Sequence, residues 1–93
     1  MDFLTKATEQ GHRHNLNTRP VVTDELEVVY FFAGPTLSDG GSQLQTGLFF
    51  EDAELTCYVR NRTTQETSFL PISTLEEGME LIISWISNET HKC

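Results

Sequence analysis

Two three-residue patterns toward opposite ends of the chain carry metal-ligand chemistry. His12-Arg13-His14 is an H-x-H pair, and His91-Lys92-Cys93 is an H-x-C pair. In extended backbone, residues two apart point to the same side, so each pair is spaced to chelate. If the four met, His12, His14, His91 and Cys93 would make a donor set of the kind zinc takes. Nothing in the spacing brings them together, and both pairs lie in polar surroundings. They stand as candidate ligands only, and the expectation is a chain without metal or other cofactor.

Other catalytic chemistry finds less to build on. A nucleophilic Cys57 would need exposure and an activating base. Its alternation with Leu55 and Val59 points it instead into a core. Glu51, Asp52 and Glu54 supply carboxylates, but three acids around a turn read as a solvated loop. No nucleophile, base and orienting group emerge together, so the chain is expected not to be an enzyme. The segment FFAGPTLSDGGSQLQTGLFF, residues 31–50, raises the question of a phosphate cradle. Such a loop needs G-x-x-x-x-G-K-[ST], with the lysine on the phosphates. Gly34 and Gly40 lack that spacing, no lysine follows, and the nearest charge is Asp39. Gly34-Pro35 and Asp39-Gly40-Gly41 are turn signals instead. They predict a hairpin with a long, mobile tip, where Leu37 would be an exposed apolar contact.

The elements that must position these residues are constrained by size and charge. Ninety-three residues suit one domain, 1–93, with a thin core. Six Phe, two Tyr and one Trp argue against disorder throughout. Fourteen acids face six bases, a net charge of −8. Between positions 20 and 59 there is no Lys or Arg, while Asp24, Glu25, Glu27, Asp39, Glu51, Asp52 and Glu54 all fall there. Neutralising nucleic-acid phosphates takes clustered cations, so direct nucleic-acid binding is not expected. An anionic membrane surface is disfavoured for the same reason. A basic protein partner fits the charge, although acidity also serves solubility. The start, MDFLTKATEQGHRH, has no apolar run of signal-peptide length, and no segment approaches transmembrane length. A reducing, cytoplasmic setting is the expectation, with the sequons at Asn61 and Asn88 left as chance matches.

Residues 1–20 read as a polar arm or a short helix, with Phe3, Leu4 and Ala7 on one amphipathic turn. Strands are expected at 26–33, 44–50 and 54–62, from β-branched and aromatic runs or alternating patterns. A fourth, at 66–72, contains Pro71 and so belongs at an edge or a strand end. The helix at 73–90 is announced by a capping box, Thr74 with Glu77 or Ser73 with Glu76. Its core stripe is Leu75, Met79, Ile82 and Ile86. Gly78 within it is either a tolerated glycine or a point of close approach to the sheet. The fold class expected is α+β: a three- to four-stranded antiparallel meander over 21–72 with the C-terminal helix on one face.

One helix covers one face, so some of Tyr30, Phe31, Phe49 and Tyr58 are expected on an open face, rimmed by Glu25, Glu27, Glu51 and Glu54. An aromatic patch with a charged rim suits protein binding. Small, acidic and without a catalytic set, the chain resembles phage- or mobile-element-encoded inhibitors such as anti-CRISPR and anti-restriction proteins. The resemblance is one of size and charge, not of motif. It implies a non-enzymatic inhibitor of a basic, nucleic-acid-handling protein or complex. Glu25, Glu27, Glu51, Asp52 and Glu54 would then be the contact acids, with Tyr30 and Tyr58 as aromatic anchors. The alternative is a structural or assembly subunit, a homodimer rather than a monomer, joined through the aromatic sheet face.

Overall fold

The computed structural model describes residues 3–90, in the order α1 (Phe3–Arg13), β1 (Asn17–Val22), β2 (Glu27–Thr36), β3 (Ser42–Glu51), β4 (Glu54–Asn61), β5 (Glu66–Ile72) and α2 (Leu75–Thr90). The five strands form one antiparallel meander, β1-β2-β3-β4-β5, and the fold is α+β. The sheet has one strand more than the sequence suggests, and of the two readings of the N-terminus, arm or short helix, the helix is the one formed. The sheet starts at Asn17 rather than at residue 21, and the polar arm is in fact α1 followed by β1.

Local chemistry explains α1. Phe3, Ala7 and Gly11 recur every four residues and are the buried positions of the helix. It ends where Asn15 adopts a left-handed φ of 59°. The Leu16 N–H then donates to the Gly11 carbonyl and the Asn15 N–H to the His12 carbonyl, a Schellman ending that satisfies otherwise orphaned carbonyls. At the start of α2, the Glu77 N–H donates to Thr74 Oγ1 at 3.1 Å, and Glu77 Oε2 accepts from the Ser73 N–H at 3.0 Å. The Thr74–Glu77 version of the capping box is the one formed.

Both helices lie on the same side of the sheet. Phe3 and Ala7 of α1 and Met79 and Ile82 of α2 close over Val29, Phe31, Leu48, Cys57 and Val59 in one core. Each large apolar side chain buried there stabilises the fold by about 1.5–3 kcal/mol. Gly78 settles as a close approach: a Cβ at that position would stand 2.5 Å from Ile72 Cδ1 and 2.6 Å from Leu48 Cδ2. The buried polar groups are satisfied. Thr46 Oγ1 donates to the Phe31 carbonyl, and Asn61 Oδ1 accepts from the Thr63 and Thr64 N–H groups, shaping the β4–β5 turn.

The two edge strands each carry a proline, Pro20 in β1 and Pro71 in β5. A missing N–H and a fixed φ make such edges poor templates for further strand pairing. The β2–β3 connection is shorter than the sequence suggests. The strands run to Thr36 and from Ser42, and the loop between is closed by a Leu37 N–H to Gly41 carbonyl bond of 2.7 Å. Leu37 is half-buried rather than an exposed tip contact.

Candidate functional site

Strand register decides which side chains share the uncovered face. Asn17, Phe32, Gln45, Arg60 and Thr67 form one row across the five strands. Arg19, Tyr30, Gly47, Tyr58 and Phe69 form the next, and Val21, Val28, Phe49, Thr56 and Pro71 the third. Beyond it, Glu51 of β3 stands directly opposite Glu54 of β4. Rows lie roughly 6.6 Å apart, so the acidic pair and Arg60 are about 20 Å apart along the sheet. Among the described residues, no helix packs on this face.

The rings on it form a continuous ladder. Phe32 stacks on Tyr30 at 6.2 Å, Tyr30 meets Phe49 edge-on at 6.3 Å, and Phe49 stacks on Tyr58 at 5.6 Å. Phe69 closes it, 5.1 Å from Tyr58 and 6.0 Å from Phe49. Gly47 makes room for this: a Cβ there would meet Tyr30, Phe49 and the Val29 carbonyl within 3.5 Å. Ring pairs of this geometry contribute about 0.5–1.5 kcal/mol each beyond their area. They therefore rigidify the face as well as offering it.

The residues singled out by sequence divide between two places. Glu25, Glu27, Glu51, Asp52 and Glu54 are gathered at one end of the sheet, although 29 positions separate the first from the last. Glu27 pairs with Phe50, next to Glu51, while Glu25 and Asp52 sit in the flanking turns. Glu27 shares the helix-covered side and lines a cleft there with Lys6 and Phe3, so it does not rim the aromatic face. Tyr30 and Tyr58 do lie on the open face. Tyr58 is only 8% exposed, held between Phe49 and Phe69, and is a platform rather than a projecting anchor. Phe31 is fully buried beneath the helices, on the opposite side from Tyr30.

The sequence pattern does not single out Phe69 or Arg19 as face residues, whereas alternation in β4 already sets Arg60 on the side of Thr56 and Tyr58. Phe69 is the most exposed ring, at 57%. Alternation in ETSFLPI places Phe69 with Thr67 and Pro71, but only pairing with β4 shows that this side is the uncovered one. Arg19 and Arg60 flank a groove of about 820 Å³ with Phe32, Gln45 and Arg62. Neither Arg19 nor Arg60 is in an ion pair with a described residue, whereas Arg62 is bonded to Asp39 across the β2–β3 and β4–β5 turns. That guanidinium, and secondarily the Gly41 N–H, holds the Asp39 carboxyl below its usual range.

Among the described residues, the candidate nucleophile is inaccessible and the two candidate histidines do not form a chelating pair. Cys57 is fully buried, and burial pushes its thiol up to about 11, away from reactive thiolate. His12 lies in the last turn of α1 and His14 in the turn after it, both exposed. The extended geometry that would have paired them is replaced by helix, where residues two apart point to different sides. His91 and Cys93 lie outside the described residues. Among the described residues, no group of three or more His, Cys, Asp or Glu is placed to hold a metal. Likewise, no helix among them is long and apolar enough to cross a membrane.

No protein-family model matches the chain, no curated protein matches it, and no solved structure matches it.

Proposed function

We propose that the chain is a non-enzymatic binding protein that engages a basic protein, of the nucleic-acid-handling kind, through the acidic end of its sheet. One observation carries the reading. The β1–β2 turn and the β3–β4 hairpin bring Glu25, Glu27, Glu51, Asp52 and Glu54 to a single end of the sheet, and neither turn contains a lysine or arginine, although Lys6 of α1 lines the cleft beside Glu27. Such a cluster has the sign and density to sit in a groove built for phosphates, and opposite charge speeds the encounter. A partner so engaged would lose access to its nucleic acid, which is how a protein of this size can inhibit without catalysis.

The test is capture from a host lysate at low and high salt, using wild type and a Glu25→Lys/Asp52→Lys variant. The expected result is a basic nucleic-acid-binding protein held only at low salt and only by the wild type. Its nucleic-acid affinity should fall when the wild-type chain is added. Capture indifferent to both salt and charge reversal overturns the electrostatic mechanism.

A further inference from the structure

The uncovered face is polarised along its strands. Glu51 and Glu54 close one end, Arg60 and Gln45 stand at the other, and the aromatic ladder lies between. Two features of the isolated chain remain unfavourable. Glu51 and Glu54 are directly opposed like charges in an antiparallel pair, which destabilises a sheet. Arg60 sits in a chain of net charge −8 without a carboxylate partner among the described residues. The exposed ring of Phe69 adds an apolar surface that no helix among the described residues covers.

We infer that this face is the interface of a two-fold dimer, in which the Glu51/Glu54 end of one copy lies over the Arg60 end of the other. The pattern selects the symmetry axis. A two-fold running along the strands would stack acid on acid and arginine on arginine. A two-fold across the strands exchanges the ends, so each copy supplies both partners of the same contact, as an isologous interface requires. Stacked sheets are rotated by about 30°, which shifts the ends by roughly one strand spacing. Such a shift changes which of Glu51 and Glu54 meets Arg60 but not the sign of the contact. The proline-bearing edges leave the face, not the edges, as the route to self-association.

The patch measures about 24 Å across five strands and about 20 Å along them, which puts it at the small end of specific interfaces. The dimer is therefore reversible and dependent on concentration. Glu25, Glu27 and Asp52 lie off the face, so the acidic end keeps its outward carboxylates in the dimer and the proposed basic partner is not displaced from them.

The test is sedimentation velocity over a wide concentration range with two charge variants, Arg60→Glu and Glu51→Lys/Glu54→Lys. Circular dichroism confirms that each is folded. The wild type should dimerise, and each variant alone should associate at least about tenfold more weakly, because like charges then face each other. Mixed in equal amounts, the two variants should associate again, since every contact in the mixed pair is of opposite sign. Restoration on mixing cannot come from a folding defect. A wild type that stays monomeric at the highest concentration, or a mixture no tighter than its components, overturns the inference. So does partner capture that is lost on Phe69→Ser while the wild type remains a monomer, since the face would then belong to a different protein. The Glu25/Asp52 capture experiment reads the off-face acids, so the two readings fail separately.

Discussion

The β3–β4 hairpin turns on Asp52 and Ala53, and both residues sit at positive φ, 52° and 62°. Two-residue hairpins need this backbone because its twist matches that of the strands. An alanine Cβ crowds the next carbonyl there, and glycine does not. Ala53→Gly should therefore stabilise the fold by about 0.5–1 kcal/mol in urea unfolding, despite glycine's greater freedom when unfolded. No gain would mean that the turn is not held in this conformation. A second residue, Asp39, carries a pH signature. Its carboxyl pKa is depressed below the ordinary 3.8, first by the hydrogen bond from Arg62 and then by the Gly41 N–H. A depressed carboxyl contributes stability above its unfolded-state pKa and loses it as pH falls through the folded-state value. Asp39→Asn should be slightly less stable than wild type at neutral pH, slightly because the pair is exposed. The two should converge as the solution is acidified below 3.8. A gap that persists in acid would assign the effect to loop geometry rather than charge.

At the scale of elements, α2 was legible because its signals are local. The Thr74–Glu77 cap and the stripe of Met79 and Ile82 are read directly from spacing, and the structure has them in those roles. Gly78 was ambiguous because its meaning depends on Ile72 and Leu48, which reach it only through the fold. Gly78→Ala should destabilise by about 1–3 kcal/mol through overpacking, against a helix-propensity gain of about 1 kcal/mol. Thermal unfolding checks the sign, and a more stable variant would show that the helix has room to lift. The N-terminal elements were hard to read for opposite reasons. In α1 only Phe3, Ala7 and Gly11 are buried, and its ending at Asn15 is a geometric motif without a strong residue signature. In β1, Asn-Thr-Arg-Pro-Val-Val has little strand pattern, and its conformation is imposed by pairing with β2.

Across the whole molecule, excess negative charge works against compaction, and the sheet concentrates part of it at one end. Salt screens such repulsion within about 10 Å at 0.1 M. Adding sodium chloride should therefore raise the melting temperature of dilute, monomeric protein. The same salt should weaken both capture of a basic partner and self-association. Opposite responses of stability and binding, measured in one buffer series, separate intramolecular repulsion from intermolecular attraction. A melting temperature that falls with added salt would show that favourable pairs such as Asp39–Arg62 outweigh the acidic end.

By itself the sequence determined the class of fold, the order of β2 to β5 and α2, the burial of Cys57, and the acidity of the central stretch. Each follows from periodicity, capping or composition, which are properties of neighbouring residues. Only the tertiary structure decided that α1 and α2 share one side, that Phe31 is core while Tyr30 is not, and that Phe69 and Arg19 join the aromatic face. Alternation sorts a strand into two sets but cannot say which set the helices will cover. It also cannot carry Glu25 to Glu54, because that encounter depends on two hairpins closing in one register.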